Sequence, residues 1–542
     1  MAQAIAAPGP LAPAAKAPAP APAFNPDDQV APGVNKWMVA VAVALGALLE
    51  VVDTSIVNVA LTEMQNSLGA TLSEVSWVVS SYAVANVIIL PLTAWLGDRF
   101  GKKRYFIFSL IAFTIASMLC GVATNLPMLI VARVLQGLGG GGLLAKAQSI
   151  LFETFPKREQ AMAQGFFGAI VIAGPAIGPT LGGYIVTNID WRWIFFINLP
   201  VGIAAVIMCA TFLPADSTEH KVKGGVDWTA IALLAIGLGS FQTVLEEGQS
   251  EDWFDSEMIV AFSVAAVVGL VLFVVRTLDS KAPVVDLRVL RYRSLWAGSI
   301  LSVIVGMSLY GTLFSVPIFA QTILHYTSQQ TGMLLLPGAI ASAFTMPIAA
   351  KLLGTFDPRR LLVVGASFLL FALMMLKNLS PMTGEDHLFW PLIIRSFGTV
   401  LMFLPLNMAT LGPIPKKDMS AASGFFNLTR QLGGSVGVAL LTTLLADRQA
   451  FHRAVLVEKV AADAPATMER MRAYVGLFLS KGFDLSLARE KALGILDGSV
   501  EVQAAVMSFG DTFFATGCLL VVTAPLVFLL GKGGGKVDMG GH

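Results

Sequence analysis

A chain of 542 residues in which 55% are hydrophobic and only 13% charged carries too little polar surface to stay in solution as a globular domain. The formal net charge of +1 reflects segregation of charge rather than its absence, and it leaves no basic footprint for a nucleic-acid partner. Cys120, Cys209 and Cys518 all fall in apolar stretches, so no disulfide framework is implied.

Residues 1–34 form an Ala/Pro-rich tract without an apolar core or cleavage pattern and read as a disordered cytoplasmic tail. A bilayer core of about 30 Å requires roughly 20 apolar residues of helix. Six stretches meet that requirement over 37–61, 75–96, 105–123, 126–150, 161–187 and 193–213. A pair follows at 226–245 and 258–275, and six more at 295–323, 331–353, 361–379, 389–411, 420–445 and 507–530. The expected fold is all-α and polytopic, with fourteen spans: a first six-helix bundle (35–214), two inserted helices (215–282) and a second six-helix bundle (283–531). A flexible tail (532–542) follows.

Basic residues crowd alternate loops: Arg99, Lys102, Lys103 and Arg104; Lys157 and Arg158; Lys221 and Lys223; Arg276, Lys281, Arg288, Arg291 and Arg293; Lys351, Arg359 and Arg360; Lys416 and Lys417. The segment 246–257, EEGQSEDWFDSE, has none. The positive-inside rule then puts both termini in the cytoplasm and 246–257 outside. The hydrophilic stretch 448–503 becomes a long periplasmic loop, either a helical flap lying on the surface or a docking element.

The two groups of six look like weak copies, as in many secondary transporters. LGDRFGKKR (96–104) recurs as LGTFDPRR (353–360), and Arg133 in RVLQG has a counterpart, Arg395, in IIRSFG. Ionisable residues inside a bilayer cost a few kcal/mol each and are functional candidates by default. Glu50 and Asp53, three residues apart, share a helix face, and two acids that close do not readily both ionise, which suits proton uptake and release. Arg133, about 9 Å deep by helix rise, matches Asp53 in depth and is its natural partner. Lys146 turns away from Arg133, toward the cavity or, more simply, snorkelling to the cytoplasmic surface. Asn86 and Gln136 are candidates for polar contacts between helices. Glycines 139–142 need close backbone approach to offset their cost in a helix, and GPAIGPTLGG (174–183) supplies a kinked small-residue face from Gly174, Gly178, Pro179, Gly182 and Gly183.

These motifs resemble those of the major facilitator superfamily, in particular its fourteen-span drug:proton antiporter branch. VVDTSIVNVAL (51–61), WRWIFFINLPVG (191–202), DWF (252–254), PVVDL (283–287) and NLTRQLGGSVG (427–437) are similar to the EmrB-type inner-membrane permeases of tripartite multidrug pumps. The resemblance implies export of hydrophobic drugs across the bacterial inner membrane, driven by the proton gradient without a cofactor. It also implies an EmrA-type membrane-fusion adaptor and a TolC-type outer-membrane channel as partners. Proton coupling would rest on Glu50, Asp53 and Arg133. The loop residues Gly97, Asp98, Arg99, Gly101 and Lys102 would latch the outward-facing state, with Lys102, Lys103 and Arg104 otherwise fixing topology and meeting anionic lipid. Cavity candidates are Asn86, Gln136, Lys146, Tyr310, Phe314, Arg395 and Met402, with Phe166, Phe167 and Phe403 beside them. Ala94 and Thr62 depart from the family pattern, as do the charges at Glu50 and Lys146, the first favouring cationic substrates and the second anionic ones. The remaining alternative is a lipid, siderophore or metabolite exporter of the same fold working without partners. The five histidines, His220, His325, His387, His452 and His542, are scattered, so neither a metal site nor an enzyme active site is expected.

Overall fold

The computed structural model describes residues 35–216, 226–280, 283–460 and 464–530. Both predicted tails, Lys221, Lys223, Lys281, His220 and His542 lie outside the described residues. The first six spans are α1 (Lys36–Leu68), α2 (Leu72–Ile89) continued by α3 (Thr93–Phe100), α4 (Lys102–Gly121), α5 (Leu126–Gly140) continued by α6 (Leu143–Thr154), α7 (Gln160–Asn188), and α8 (Trp193–Phe196) continued by α9 (Asn198–Phe212). The pair is α10 (Trp228–Glu247) and α11 (Glu257–Asp279). Then come α12 (Arg293–Thr322), α13 (Ser328–Leu353), α14 (Pro358–Leu376), α15 (Glu385–Leu411), α16 (Met419–Lys459), α17 (Pro465–Ser480) and α18 (Leu485–Thr523).

Among the described residues thirteen helices are long and apolar enough to cross a bilayer. The predicted span 420–445 is helical within α16 and packs against α6, α12 and α18. Its apolar character is diluted by buried Ser420, Ser423 and Asn427, which turn toward the first half of the chain, and by Arg430, which faces the space between the halves, rather than lipid. Elsewhere large apolar side chains point outward, Phe108 (66% exposed) and Phe344 (72%) among them, as lipid-facing surfaces require.

Local chemistry sets the helix breaks. Pro91 lacks an N–H, and a 3-10 turn at Leu90–Leu92 separates α2 from α3. The glycine run opens the fourth span between Gly140 and Leu143, where a Cβ on Gly141 would lie 2.7 Å from the Asn86 Cα. The run therefore lets α2 and the α5–α6 junction touch backbone to backbone, and it gives α6 a helix N-terminus inside the bundle. The predicted packing face behaves similarly: Gly174, Gly178 and Gly182 lie on α1 at Val51, Ser55 and Ile56. Gly183 lies on the start of α13, where a Cβ would be 2.7 Å from the Gln329 nitrogen. Pro179 is carried within α7 without ending it.

The inserted helix α10 packs against α2 on one side and α16 on the other, while α11 lies on α10 where Gly237 meets Gly269. Its last turn includes Glu246 and Glu247, which the sequence reading had placed in the following loop.

The hydrophilic segment 448–503 is helical through most of its length. α16 runs past the apolar region to Lys459, α18 begins at Leu485, and α17 packs on α18. The base is pinned by Arg448 Nε (2.6 Å) and His452 Nε2 (2.8 Å) on the Asp511 carboxylate, and the Arg453–Asp497 pair (2.7 Å) ties the helices further out. Continuous helix satisfies its own backbone groups, so the two spans extend as a stalk instead of unwinding at the surface.

Candidate functional site

The centre of the molecule holds a cavity of about 1050 Å³ counted out to its mouth. One wall is Glu50, Val51 and Thr54 of α1, Asn86 of α2, Leu144 of α6 and Pro175 of α7; the other is Tyr310 and Leu313 of α12, Arg395 and Phe403 near the middle of α15, and Arg430 of α16. On the face that carries the basic loops it is sealed by α6 against α16. Lys146 Nζ donates to Ser420 Oγ (2.8 Å), Ser423 Oγ to the Ala145 carbonyl (2.6 Å), and Asn427 Nδ2 to Gln148 Oε1 (2.7 Å). Toward the opposite face Thr54 and Asn58, on successive turns of α1, are exposed.

Glu50 is 6% exposed, and both of its oxygens are used: Oε1 accepts from Asn86 Nδ2 (2.9 Å) and Oε2 from the backbone N–H of Leu144 (2.7 Å). The second donor is free because the glycine run restarts the helix at Leu143, so a first-turn N–H has no intrahelical acceptor and points at a carboxylate.

Asp53 does not share that environment, contrary to the expectation of one shared acid site. Three residues of helix rotate it by about 60° from Glu50, enough to turn it from the cavity into the first bundle. There Arg133 Nη1 lies 2.6 Å from Oδ2, while Gln136 Nε2 (2.8 Å) and Asn198 Nδ2 (3.2 Å) donate to Oδ1. Arg133 also donates to Gln136 Oε1 (2.8 Å) and, through Nε, to the Val78 carbonyl (2.9 Å), and its guanidinium lies 4.2 Å from the Tyr82 ring centre. Asp53 is 0% and Arg133 1% exposed, so the pair is a closed ion pair with its hydrogen bonds filled.

Of the other predicted cavity residues, Asn86, Tyr310 and Arg395 line the wall. Gln136 belongs to the Asp53 cluster, Phe314 is half-buried beside the wall residue Leu313, and Met402 is packed in the core of the second bundle. Phe166 and Phe167 pack in the core of the first bundle, while Phe403 does face the cavity. Lys146 neither lines the cavity nor snorkels: it is 1% exposed in the joint between the halves, and Gly97 lacks the Cβ that would overlap its ammonium.

The loop motif is engaged rather than merely basic. Lys102 Nζ pairs with Glu153 (2.6 Å), and Lys103 Nζ donates to the carbonyls of Ala210 (2.7 Å) and Leu213 (2.8 Å) at the end of α9. Asp216 accepts from the backbone N–H groups of Lys103 (2.8 Å) and Arg104 (3.2 Å), capping α4 beside Gly101, whose φ of 98° suits glycine. Asp98 and Arg99 sit in the last turn of α3, with the Arg99 guanidinium 5.6 Å from the Trp95 ring centre.

Sequence reasoning missed Asn198, Asp216 and Arg430. Arg430 had a readable signal, because it is the one charged residue in the predicted span 420–445. It is 6% exposed, donates to Asn427 Oδ1 (2.5 Å) and lies 5.2 Å from the Phe403 ring centre.

Paired helical bundles about a central cavity, with buried charges in mid-span, define a membrane transporter. The Major Facilitator Superfamily pattern matches residues 43–438, and the chain belongs to that superfamily and, within it, to the EmrB-type export permeases. It is 33% identical to the multidrug export protein EmrB of Escherichia coli K12 over 510 residues, covering 93% of this chain and 98% of that one. It is also 33% identical to the fatty acid resistance protein FarB of Neisseria gonorrhoeae, covering 91% and 95%. The proton:xylose symporter XylE shares the fold at a TM-score of 0.57, with 12% identity over 91% of this chain and 95% of that one.

Proposed function

We propose that this multidrug-type efflux transporter is a proton-driven antiporter. In this reading it exports hydrophobic or toxic small molecules across the inner membrane by alternating access, with both termini in the cytoplasm and no cofactor beyond the proton gradient. The observation that carries the reading is Glu50, a carboxylate buried in the cavity wall and held only by neutral donors from α2 and α6. Those donors favour its charged form, whereas the apolar cavity favours the neutral one. A shift of α6 relative to α1 withdraws the Leu144 N–H and changes that balance, which couples proton binding to movement of the halves. The closed Asp53–Arg133 pair, with Tyr82 and Val78 of α2 around it, holds α1, α2 and α5 together as one moving body.

The basic loops and their seal then face the cytoplasm, Gly97 to Lys102 with Lys146 forming the latch, and the cavity is open outward. The stalk of α16, α17 and α18 would stand in the periplasm, where it supports a reading as the permease of a tripartite pump with a membrane-fusion adaptor and an outer-membrane channel. Arg395 and Arg430 in the wall favour a second substrate reading, an amphipathic acid, in keeping with the fatty acid resistance for which FarB is named.

Proteoliposomes loaded with a fluorescent hydrophobic dye test the coupling. Glu50→Gln should abolish dye movement driven by an imposed proton gradient while dye-for-dye exchange continues. Gradient-driven transport at the unsubstituted rate in Glu50→Gln would sink the proposal. A medium-chain carboxylate that competes with the dye, where the alkylamine of equal length does not, favours the amphipathic acid. Recovery of an adaptor on the intact chain but not after removal of the α17 hairpin tests the pump assembly.

A further inference from the structure

Adjacent glutamates at the end of the inserted helix α10 face different halves of the transporter. Glu247, 3% exposed, turns to the first bundle, where Ser80 Oγ of α2 donates to Oε1 (2.5 Å). Glu246 turns to the second bundle: Gln242 Nε2 donates to its Oε1 (2.7 Å) and to Ser435 Oγ of α16 (2.7 Å), with Ser435 Oγ 3.5 Å from the same carboxylate oxygen. Among the described residues neither glutamate has a cation within ion-pair distance. Gln242 is 0% exposed, and its amide spends its donor nitrogen on Glu246 and Ser435 while Oε1 is buried with no hydrogen-bond partner among the described residues.

A buried amide carbonyl left without a donor costs about 1–3 kcal/mol, and the missing element is one hydrogen-bond donor beside an acid that can supply it. With a proton on Glu246 and the amide left as it stands, a turn of the carboxyl lets its O–H donate to Gln242 Oε1 while its carbonyl oxygen still accepts from Gln242 Nε2, which also keeps its bond to Ser435, so no polar atom is stranded. The carboxyl turns about its own side-chain bonds, so the two arrangements interconvert without moving the backbone. We propose that Glu246, with Gln242 and Ser435, is a second proton-binding site, separate from the cavity, and that the proton closes the joint between α10 and the second bundle. The functional consequence rests on the alternating-access reading; the proton site itself does not.

The charged groups on the elements around the joint are few. Glu247 is the neighbour on α10 itself, and its negative charge disfavours a second one at Glu246. α2 presents Ser76 and Ser80 and carries Glu74 in its first turn, α11 begins with Glu257, and Arg430 of α16 lies five residues from Ser435, in the cavity wall. Glu246 is half-buried, and when α16 moves away from α10 during transport, Ser435 leaves and the rest of the carboxyl meets water, which releases the proton. The inserted helix thus acts as a strap, permanently on the first bundle through Glu247 and reversibly on the second.

Infrared difference spectroscopy of the full chain in lipid nanodiscs reads a protonated carboxyl directly, through its C=O band and the shift of that band in D2O. On a Glu50→Gln background, a protonated-carboxyl band that titrates away on raising the pH should remain, and it should vanish in Glu246→Gln. An indicator dye should then count about one proton fewer released per molecule in an alkaline jump. Ser435→Ala, which deletes a neutral donor and leaves Glu246 in place, keeps the band and moves its loss to higher pH. A band unchanged in Glu246→Gln, no band at any pH in the intact chain, or a band displaced by sodium at constant pH but not by choline would overturn the proposal, the last by making the site one for a metal cation. Unaltered gradient-driven export in Glu50→Gln, which would sink the coupling reading, leaves these readouts untouched, so the two proposals fail separately.

Discussion

Replacing Asp53 by Asn tests whether the buried ion pair is the rivet of the first bundle. The substitution keeps shape but removes the charge opposite Arg133, which remains 1% exposed. Arg133 retains its bonds to Gln136 Oε1 and the Val78 carbonyl, so the loss is of charge compensation rather than of all its hydrogen bonds. Breaking a buried pair by removing one partner costs about 3–5 kcal/mol. A further about 1–3 kcal/mol arises because the Asn amide must aim its NH2 either at Arg133 or at the donors Gln136 and Asn198, leaving two donors face to face whichever way it turns. Arg133→Gln in the same chain removes the stranded cation, so the double variant should be more stable than Asp53→Asn alone, with a coupling of about 2 kcal/mol or more. Unfolding of purified protein in mixed micelles with increasing dodecyl sulfate, followed by tryptophan fluorescence, measures all four corners of the cycle. Single variants each within about 1 kcal/mol of the parent, with coupling below about 0.5 kcal/mol, would refute the rivet.

Gly183→Val places a Cβ 2.7 Å from the Gln329 nitrogen, a backbone atom that cannot step aside, so α7 and α13 must part at a cost of about 1–3 kcal/mol, read as a lowered unfolding midpoint. Gly97→Val drives the Lys146 ammonium off Ser420, and a cysteine at Ser423 should then react faster with an impermeant thiol reagent added from the basic-loop side. Asp216→Ala removes the acceptor for two N–H groups at the start of α4 and should cost about 1 kcal/mol, with Asp216→Asn recovering part of it. Asp227 at the start of α10 has its pKa held below the ordinary carboxylate value, first by the Ala230 N–H and then by Arg276. Its contribution is therefore full at neutral pH and is lost as the pH falls below about 3.9 through the folded-state value; Asp227→Asn should flatten that part of the acid limb of an unfolding-versus-pH curve.

The spans were legible because a bilayer imposes a length and a composition that no packing detail can override. The 139–142 run and the glycines and prolines of the 174–183 face were legible because they constrain the backbone directly, whereas the break at Pro91 was not read within the span 75–96. Side-chain destinations were not legible. Lys146 has the stem length to reach the surface, yet the missing Cβ at Gly97, about fifty residues earlier, makes the pocket that holds it. Glu50 and Asp53 share a helix face by spacing, but only the neighbouring helices decide which of them meets water and which meets Arg133. The helical character of 448–503 was legible, but not that it continues the spans on either side, because polarity marks exposure and an exposed helix with its backbone bonds intact is as polar as a loop.

On the proposed transport cycle, the two acids of α1 divide into a structural charge and a responsive one. Asp53 receives a full countercharge and three donors from residues of α5 and α9, all of which belong to the same bundle and move with it, so no rigid-body motion of the halves changes its surroundings. Glu50 receives two neutral donors and faces a cavity whose far wall, with Arg395 and Arg430, belongs to the other bundle. Every approach or withdrawal of that wall alters the field at Glu50, since a charge in a low-dielectric cavity is screened far less than one in water, whereas Asp53 keeps its Arg133 countercharge in contact throughout. An ion that must sense which way the transporter faces therefore has to sit where Glu50 sits, at the seam, and an ion that must survive every turnover unchanged has to sit where Asp53 does.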